Sequence, residues 1–223
     1  MKDKLLITID GPAGSGKSTL AKLLAQKLGY LYLDTGAMYR AVALAAYKNK
    51  IPLQDEQALT LLCEGLDLEL KPSEGGLKIL LEGEDVSQEI RTPLIDRLSS
   101  LVARVPGVRA CLKKRQRRLG EQGGVVAEGR DMGSHVFPEA HVKFFLTATP
   151  EIRAQRRYEE LIRKGLQVSY EETLREVLER DQRDQEREIA PLKIPQGAIV
   201  IDSSRLSPSA ILQKMLHEIE KYR

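Results

Sequence analysis

A chain of 223 residues, 42% of them hydrophobic and 30% charged, is long enough to bury one α/β core with a small insert and has the composition of a soluble globular protein. Its 35 basic and 32 acidic residues leave a formal charge of +3, and it has no Trp and no aromatic-rich basic stretch, which argues against a nucleic-acid binder. No run approaches the roughly eighteen apolar residues of a membrane span, and the first apolar run starts so near the N-terminus that no signal peptide is expected.

Residues 5–9 read as a buried strand and residues 19–28 as an amphipathic helix. Between them Gly11, Pro12, Ala13, Gly14, Ser15, Gly16, Lys17, Ser18 and Thr19 fit G-x-x-x-x-G-K-[ST] in the strand–loop–helix setting that gives this pattern its meaning. Glycines let the backbone curl so that successive N–H groups face one hollow suited to phosphate oxygens. The following helix aims its positive end at the same place. Lys17 is expected to reach the β- and γ-phosphates of a nucleoside triphosphate, and the Ser18 hydroxyl to take a Mg²⁺ position. The plainer alternative is a Gly-rich turn that only opens a helix.

Further apolar runs at 30–33, 125–127, 142–146 and 198–201, with helical patterns between them, predict a doubly wound parallel sheet. Ligands bind beyond the carboxyl ends of such strands, where Asp10, Asp34-Thr35-Gly36 and Glu128-Gly129-Arg130-Asp131 fall. From 51 to about 91 the pattern changes. Residues 66–70 and part of 77–81 alternate with period two around Pro72-Ser73-Glu74-Gly75-Gly76, a hairpin signal. It predicts a small subdomain over the site, or else a surface hairpin away from substrate. Helical patterns follow at 92–104 and 107–119, and the charge-dense stretch 150–189 reads as a pair of solvated helices. Cys63 and Cys111 lack metal-ligand spacing and read as reduced cytoplasmic thiols. His135, His141 and His217 read as surface or strand-edge residues.

A phosphate cradle alone does not separate kinases from switches or motors. There is no N-K-x-D run of a guanine-specific switch, while Arg40, Arg130, Arg180 and Arg187 stand where they could converge on the cradle. Phosphoryl transfer relies on positioning and on cations that neutralise the equatorial oxygens. On one helix Arg180, Asp184 and Arg187 would lie within roughly 60° of one another, fit for a phosphate and a ribose hydroxyl; a surface salt-bridge ladder is the alternative. Asp34 is a candidate for orienting an acceptor or holding a Mg²⁺-bound water, or else for capping a helix.

The stretches 11–19, Asp34 to Arg40, Gly83 to Ser87 with Glu89 to Thr92, Glu128 to Gly133, Glu179 to Arg187 and Ala190-Pro191-Leu192 resemble, in order, those of bacterial cytidylate kinases. The resemblance implies a P-loop NTPase-type α/β fold, a doubly wound parallel sheet with a small antiparallel β insert and a helical lid. It implies one nucleoside-monophosphate kinase domain over 1–223, with an acceptor-binding insert at about 51–91 and a lid at about 150–168. The implied activity is transfer of the γ-phosphoryl group of Mg²⁺-ATP to CMP or dCMP, in a cytoplasmic monomer with no nucleic-acid or membrane partner. By matching position, Thr35, Tyr39 and Arg40 would surround the acceptor; Arg40, Arg130, Arg180 and Arg187 its phosphate; Asp184 its sugar. Ser100, Arg109 and Asp131 would read the base, and Arg156 or Arg157, in the segment begun by Arg153, would touch the triphosphate. Thr35 stands where Ser is frequent in the family and Ser18 where Gly can occur; both keep a hydroxyl.

The base assignment also has a chemical rationale. Cytosine offers an N4 donor with N3 and O2 acceptors, matching a carboxylate (Asp131) beside donors (Arg109, Ser100), whereas uracil reverses the polarity at positions 3 and 4. Against it, Asp131 could cap a turn, Ser100 could be a helix-packing hydroxyl and Arg109 a plain surface residue. The rivals are a kinase of the same fold acting on UMP or a sugar-like acid, and a nucleotide switch or RNA-binding module that binds without acceptor-dependent ADP release.

Overall fold

In the computed structural model, which describes residues 4–73 and 76–222, β1 (Leu6–Asp10), α1 (Lys17–Leu28), β2 (Leu31–Asp34) and α2 (Thr35–Lys48) lead into α3 (Glu56–Gly65) and three short strands, β3 (Leu68–Ser73), β4 (Gly76–Leu81) and β5 (Glu84–Asp85). After α4 (Pro93–Val102) and α5 (Pro106–Gly120) come β6 (Val125–Glu128) and β7 (Val142–Thr147). A charged helical hairpin, α6 (Pro150–Arg163) and α7 (Tyr170–Gln185), precedes β8 (Ile199–Asp202) and α8 (Pro208–Glu220). Glu74 and Gly75, at the tip of the expected hairpin, lie outside the described residues.

Among the described residues five strands form one parallel sheet in the order β2-β6-β1-β7-β8. Alternation along β1, β2 and β6 feeds two cores. Leu6, Leu33, Val125 and Ala127 pack with residues of α2 to α5 on one face; Ile7, Ile9, Tyr32, Val126 and Phe144 pack with α1 and α8 on the other. Burial on both faces is why the strands read as continuous apolar runs. The helix starts are local chemistry. Thr92, Thr149, Ser169 and Ser207 each accept an N–H of the first turn, and Pro stands at the start of α4, α6 and α8.

The expected hairpin is β3–β4, paired antiparallel from Leu68↔Leu81 to Ser73↔Gly76. β5 adds a third strand that two residues are too few to announce by periodicity. Leu66, Ile79, Leu81, Val86 and Ile90 belong to the same core as α2, so the insert is an outgrowth of that face. The helical expectation over Arg180–Arg187 needs correcting: α7 ends at Gln185, and Arg187 lies beyond it. The chain turns back there through Ala190 at φ 53°, with the Leu192 N–H on the Asp184 carbonyl at 2.8 Å.

β1, β2 and β6 all end in a carboxylate, Asp10, Asp34 and Glu128, at one edge of the sheet, with Asp34 opposite Glu128 in register. Gly11 turns the chain out of β1 at φ 143°, and a Cβ there would lie 2.0 Å from the Leu146 carbonyl oxygen. Gly11→Ala is therefore expected to destabilise the protein by more than about 2 kcal/mol. The loss would be read as a lower denaturant midpoint at unchanged m-value, and a wild-type midpoint would contradict it.

Candidate active site

Beyond that edge lies a cleft of about 510 Å³. Ala13, Gly14, Lys17 and Ser18 line one end of it. The carbonyls from Pro12 to Ser15 are tied down, the first from within the loop and the others from outside it. Pro12 O accepts Lys17 Nζ at 2.6 Å and Ser15 Oγ at 3.0 Å; Ala13 O accepts Arg153 Nη1 at 3.2 Å; Gly14 O accepts Arg156 Nη1 at 3.3 Å; Ser15 O accepts Ser203 Oγ at 2.9 Å. Among the described residues no protein acceptor takes the N–H groups of Ala13, Gly14, Ser15 or Gly16. A loop with its carbonyls occupied and its N–H groups free is a receptor for anions. Gly11, Pro12, Ser15 and Gly16 shape the loop without lining the cleft, and Thr19 is exposed on α1.

Ser18 Oγ donates to Glu128 Oε2 at 2.9 Å, and the Tyr32 hydroxyl donates to the other oxygen of that carboxylate. Burial, then Asp34, pushes the Glu128 carboxyl above its ordinary range. A hydroxyl beside a carboxylate fits a hard cation such as Mg²⁺. Among the described residues no group of three or more His, Cys, Asp or Glu side chains forms a metal site, so such an ion would take its other ligands from phosphate and water. Glu128 was visible in the sequence as a strand end, but no motif marked its side chain.

Arg130, Arg180 and Arg187 line the cleft around Asp184. Arg130 Nε meets Asp184 Oδ2 at 2.9 Å and Arg187 Nη2 meets Asp184 Oδ1 at 3.4 Å. Burial pushes the Asp184 carboxyl up, but Arg130, Arg187 and Arg180 outweigh it and hold it below the ordinary range. Burial, with Arg130 adding, holds both Lys17 and Arg180 below theirs, and burial lowers Arg187 despite Asp184 beside it. Among the described residues Arg180 Nε is buried without a partner.

At the opposite end Arg109, buried on α5, pairs with Asp131, donates to Ala103 O at 3.1 Å and lies 5.7 Å over the Tyr39 ring. Asp131 is thus engaged with Arg109; among the described residues its side chain caps no turn. Asp131 and Tyr39 line the cleft, as does Ser100, whose Oγ is buried without a partner among the described residues. Arg109 stands behind them rather than in the wall.

Asp34 does cap α2, accepting the Ala37 N–H at 2.8 Å, while its other oxygen faces Arg40 at 3.1 Å and Arg91 at 3.6 Å. Thr35 Oγ1 donates to the Glu128 carbonyl at 2.6 Å. Asp96 on α4, which nothing in the sequence singled out, holds Arg157 at 2.7 Å and approaches Arg40 to 3.8 Å. Arg156 bonds Ser203 besides Gly14. Within 51–91, among the described residues, Arg91 alone lines the cleft; β3 to β5 do not reach it, and α4 supplies that wall. The free thiols Cys63 and Cys111 and the three histidines do not line it either.

Because Lys17 is buried among other cations, Lys17→Met should raise the thermal midpoint of the ligand-free protein by a few degrees, on the order of 1 kcal/mol. It should also abolish the further rise that pyrophosphate gives the wild type. A lower midpoint, or undiminished stabilisation by pyrophosphate, would contradict that account of the loop.

The cytidylate kinase family pattern matches residues 7–221. The cytidylate kinase of Bacillus subtilis (strain 168) is 47% identical over 221 residues, 99% of each chain. That of Carboxydothermus hydrogenoformans is 49% identical over 213 residues, 96% of each. A solved gluconokinase from Sinorhizobium meliloti 1021 shares the fold at a TM-score of 0.52 and 16% identity, covering 99% of this chain and 94% of that one. With a match of this extent and identity, the chain belongs to the cytidylate kinase family.

Proposed function

We propose that the protein transfers the γ-phosphoryl group of ATP to CMP or dCMP, giving ADP and CDP or dCDP. The observation that carries the reading is the pairing, in one cleft, of a free-amide phosphate loop with the Asp131–Arg109 pair and the unpartnered Ser100 hydroxyl. The carboxylate of Asp131 suits the N4 donor of cytosine, and the Ser100 hydroxyl suits one of its acceptors. Arg109, anchored on Ala103 O and Tyr39, pairs with Asp131 and orients it.

On this reading Ala13 to Ser18 bind the triphosphate, and Lys17, Arg130, Arg180 and Arg187 stabilise charge as it moves between the two phosphates. Asp184 holds Arg130 and Arg187 and faces the sugar; Thr35, Tyr39 and Arg40 enclose the acceptor, with Asp34 orienting Arg40. Ser18 and Glu128 would hold Mg²⁺, which would supply positive charge to offset that of the phosphates. The segment at about 150–168, which holds Arg153, Arg156 and Arg157, closes over ATP and keeps water out. Work as a cytoplasmic monomer, without nucleic-acid or membrane partners, belongs to the same reading. The helices carry no span long and apolar enough to cross a membrane, among the described residues.

A coupled assay of ADP release with CMP, dCMP, UMP and AMP under identical conditions tests this. CMP and dCMP are expected to lead, and equal rates with AMP or shikimate would sink the cytosine assignment. Asp131→Ala is expected to reduce the preference for CMP over UMP by roughly 10- to 100-fold, with far less effect on ATP affinity. A fall in ATP affinity at unchanged base preference would make Asp131 structural.

A further inference from the structure

Asp10 ends β1, immediately before the phosphate loop, and is fully buried. Both of its carboxylate oxygens serve another segment. Oδ1 accepts the Met132 N–H at 2.8 Å and Oδ2 the Gly133 N–H at 2.7 Å. Those amides follow directly on Arg130 and Asp131, the first placed at the acceptor phosphate and the second at the base. We propose that Asp10 is a positioning residue: it clamps the turn bearing Arg130 and Asp131 to the root of the phosphate loop, so that acceptor and donor are held in one fixed register. The inference rests on the reading of Asp131 as the base-reading carboxylate.

An acid at this position is not explained by stability. Burial pushes its pKa up to about 7, with Asp131 on the turn adding to the rise and the two N–H groups and Lys17 on α1 opposing it. The folded protein therefore holds this proton more tightly than the unfolded chain. The carboxyl's contribution to stability falls as pH climbs from about 4 toward neutrality. What the ionised carboxylate does, and an amide cannot, is offer a separate acceptor oxygen to each of the two N–H groups, since an amide turns a donating NH2 toward one of them. The turn also has no slack. A Cβ on Gly133 would lie 2.8 Å from Thr8 Oγ1 and 3.1 Å from Pro195 Cγ, so glycine is what allows the two amides to settle on Asp10.

The test compares Asp10→Asn with Gly133→Ala, which keeps the carboxylate and displaces the turn. In each, KM for CMP is expected to rise about 10-fold or more, and the preference for CMP over UMP to fall by a similar factor. The dissociation constant of ATP alone, measured by calorimetry, should move less than about 3-fold. In the wild type KM for CMP should also fall between about pH 6 and 8, beyond the titration of CMP's own phosphate near about 6; in Asp10→Asn only the phosphate's titration should remain. If Asp10→Asn does not fold, Gly133→Ala decides on the same readouts. ATP affinity weakened as much as KM for CMP, or an unmoved KM for CMP, overturns the inference while leaving the kinase reading intact. A wild type that releases no ADP in response to CMP would instead remove the reading and the inference together.

Discussion

Buried positive charge without enough negative charge beside it is the constraint around which this molecule is arranged. Lys17, Arg180 and Arg187 are each held below their ordinary pKa range, with burial the largest cause. Taking a cation out of water is tolerable only if an anion or a set of acceptors replaces the lost hydration. Within the protein that role falls chiefly to Asp184, one carboxylate shared between Arg130 and Arg187. A site short of negative charge binds phosphate by completing its own balance, and the cations are preorganised before the phosphate arrives. The parallel sheet makes this affordable, because its two apolar faces stabilise the fold independently of the charged edge.

The phosphate loop solves the same problem with backbone. Its carbonyls from Pro12 to Ser15, which would repel phosphate oxygens, are engaged by Lys17 within the loop and by Arg153, Arg156 and Ser203 from elsewhere. Arg153 is itself buried and paired with Asp181 on α7 at 2.6 Å. The loop's shape therefore depends on the helical hairpin and on the segment after β8 as well as on its glycines. The G-x-x-x-x-G-K-[ST] pattern records which residues can make the curl; it is silent about the partners that hold it.

That difference explains what could be read along the chain. The strands, the helix starts and the phosphate loop follow from local pattern and were legible, as was the antiparallel pairing of β3 with β4. The pairing of Arg130 with Asp184, 54 positions apart, was not legible: strand-end position put Arg130 near the cradle, but nothing local to either residue points at the other. Asp96 and Glu128 went unassigned for the same reason: each looks like an ordinary acid until Arg157 and Arg40, or Ser18 and Tyr32, are brought to it. Arg187 was misjudged because helical spacing was extended one turn too far. The chain breaks after Gln185, yet the arginine still folds back onto Asp184.

Asp96 carries the charge argument one step further. It stands on the wall supplied by α4 and holds Arg157 of α6 from across the cleft, with Arg40 close by. The pair with Arg157 is partly exposed on both sides, so its net contribution to stability is small and the contact can exchange without a large penalty. For Arg157 burial is outweighed by Asp96 and Glu160, which keep it firmly cationic. A carboxylate in a cleft shaped for phosphates would be a liability if it faced them directly. Paired with Arg157 and close to Arg40, Asp96 has its charge offset by theirs, and a phosphate need displace only one weak pairing to recruit Arg157. Asp96 thus acts on the ligand through the cations it holds.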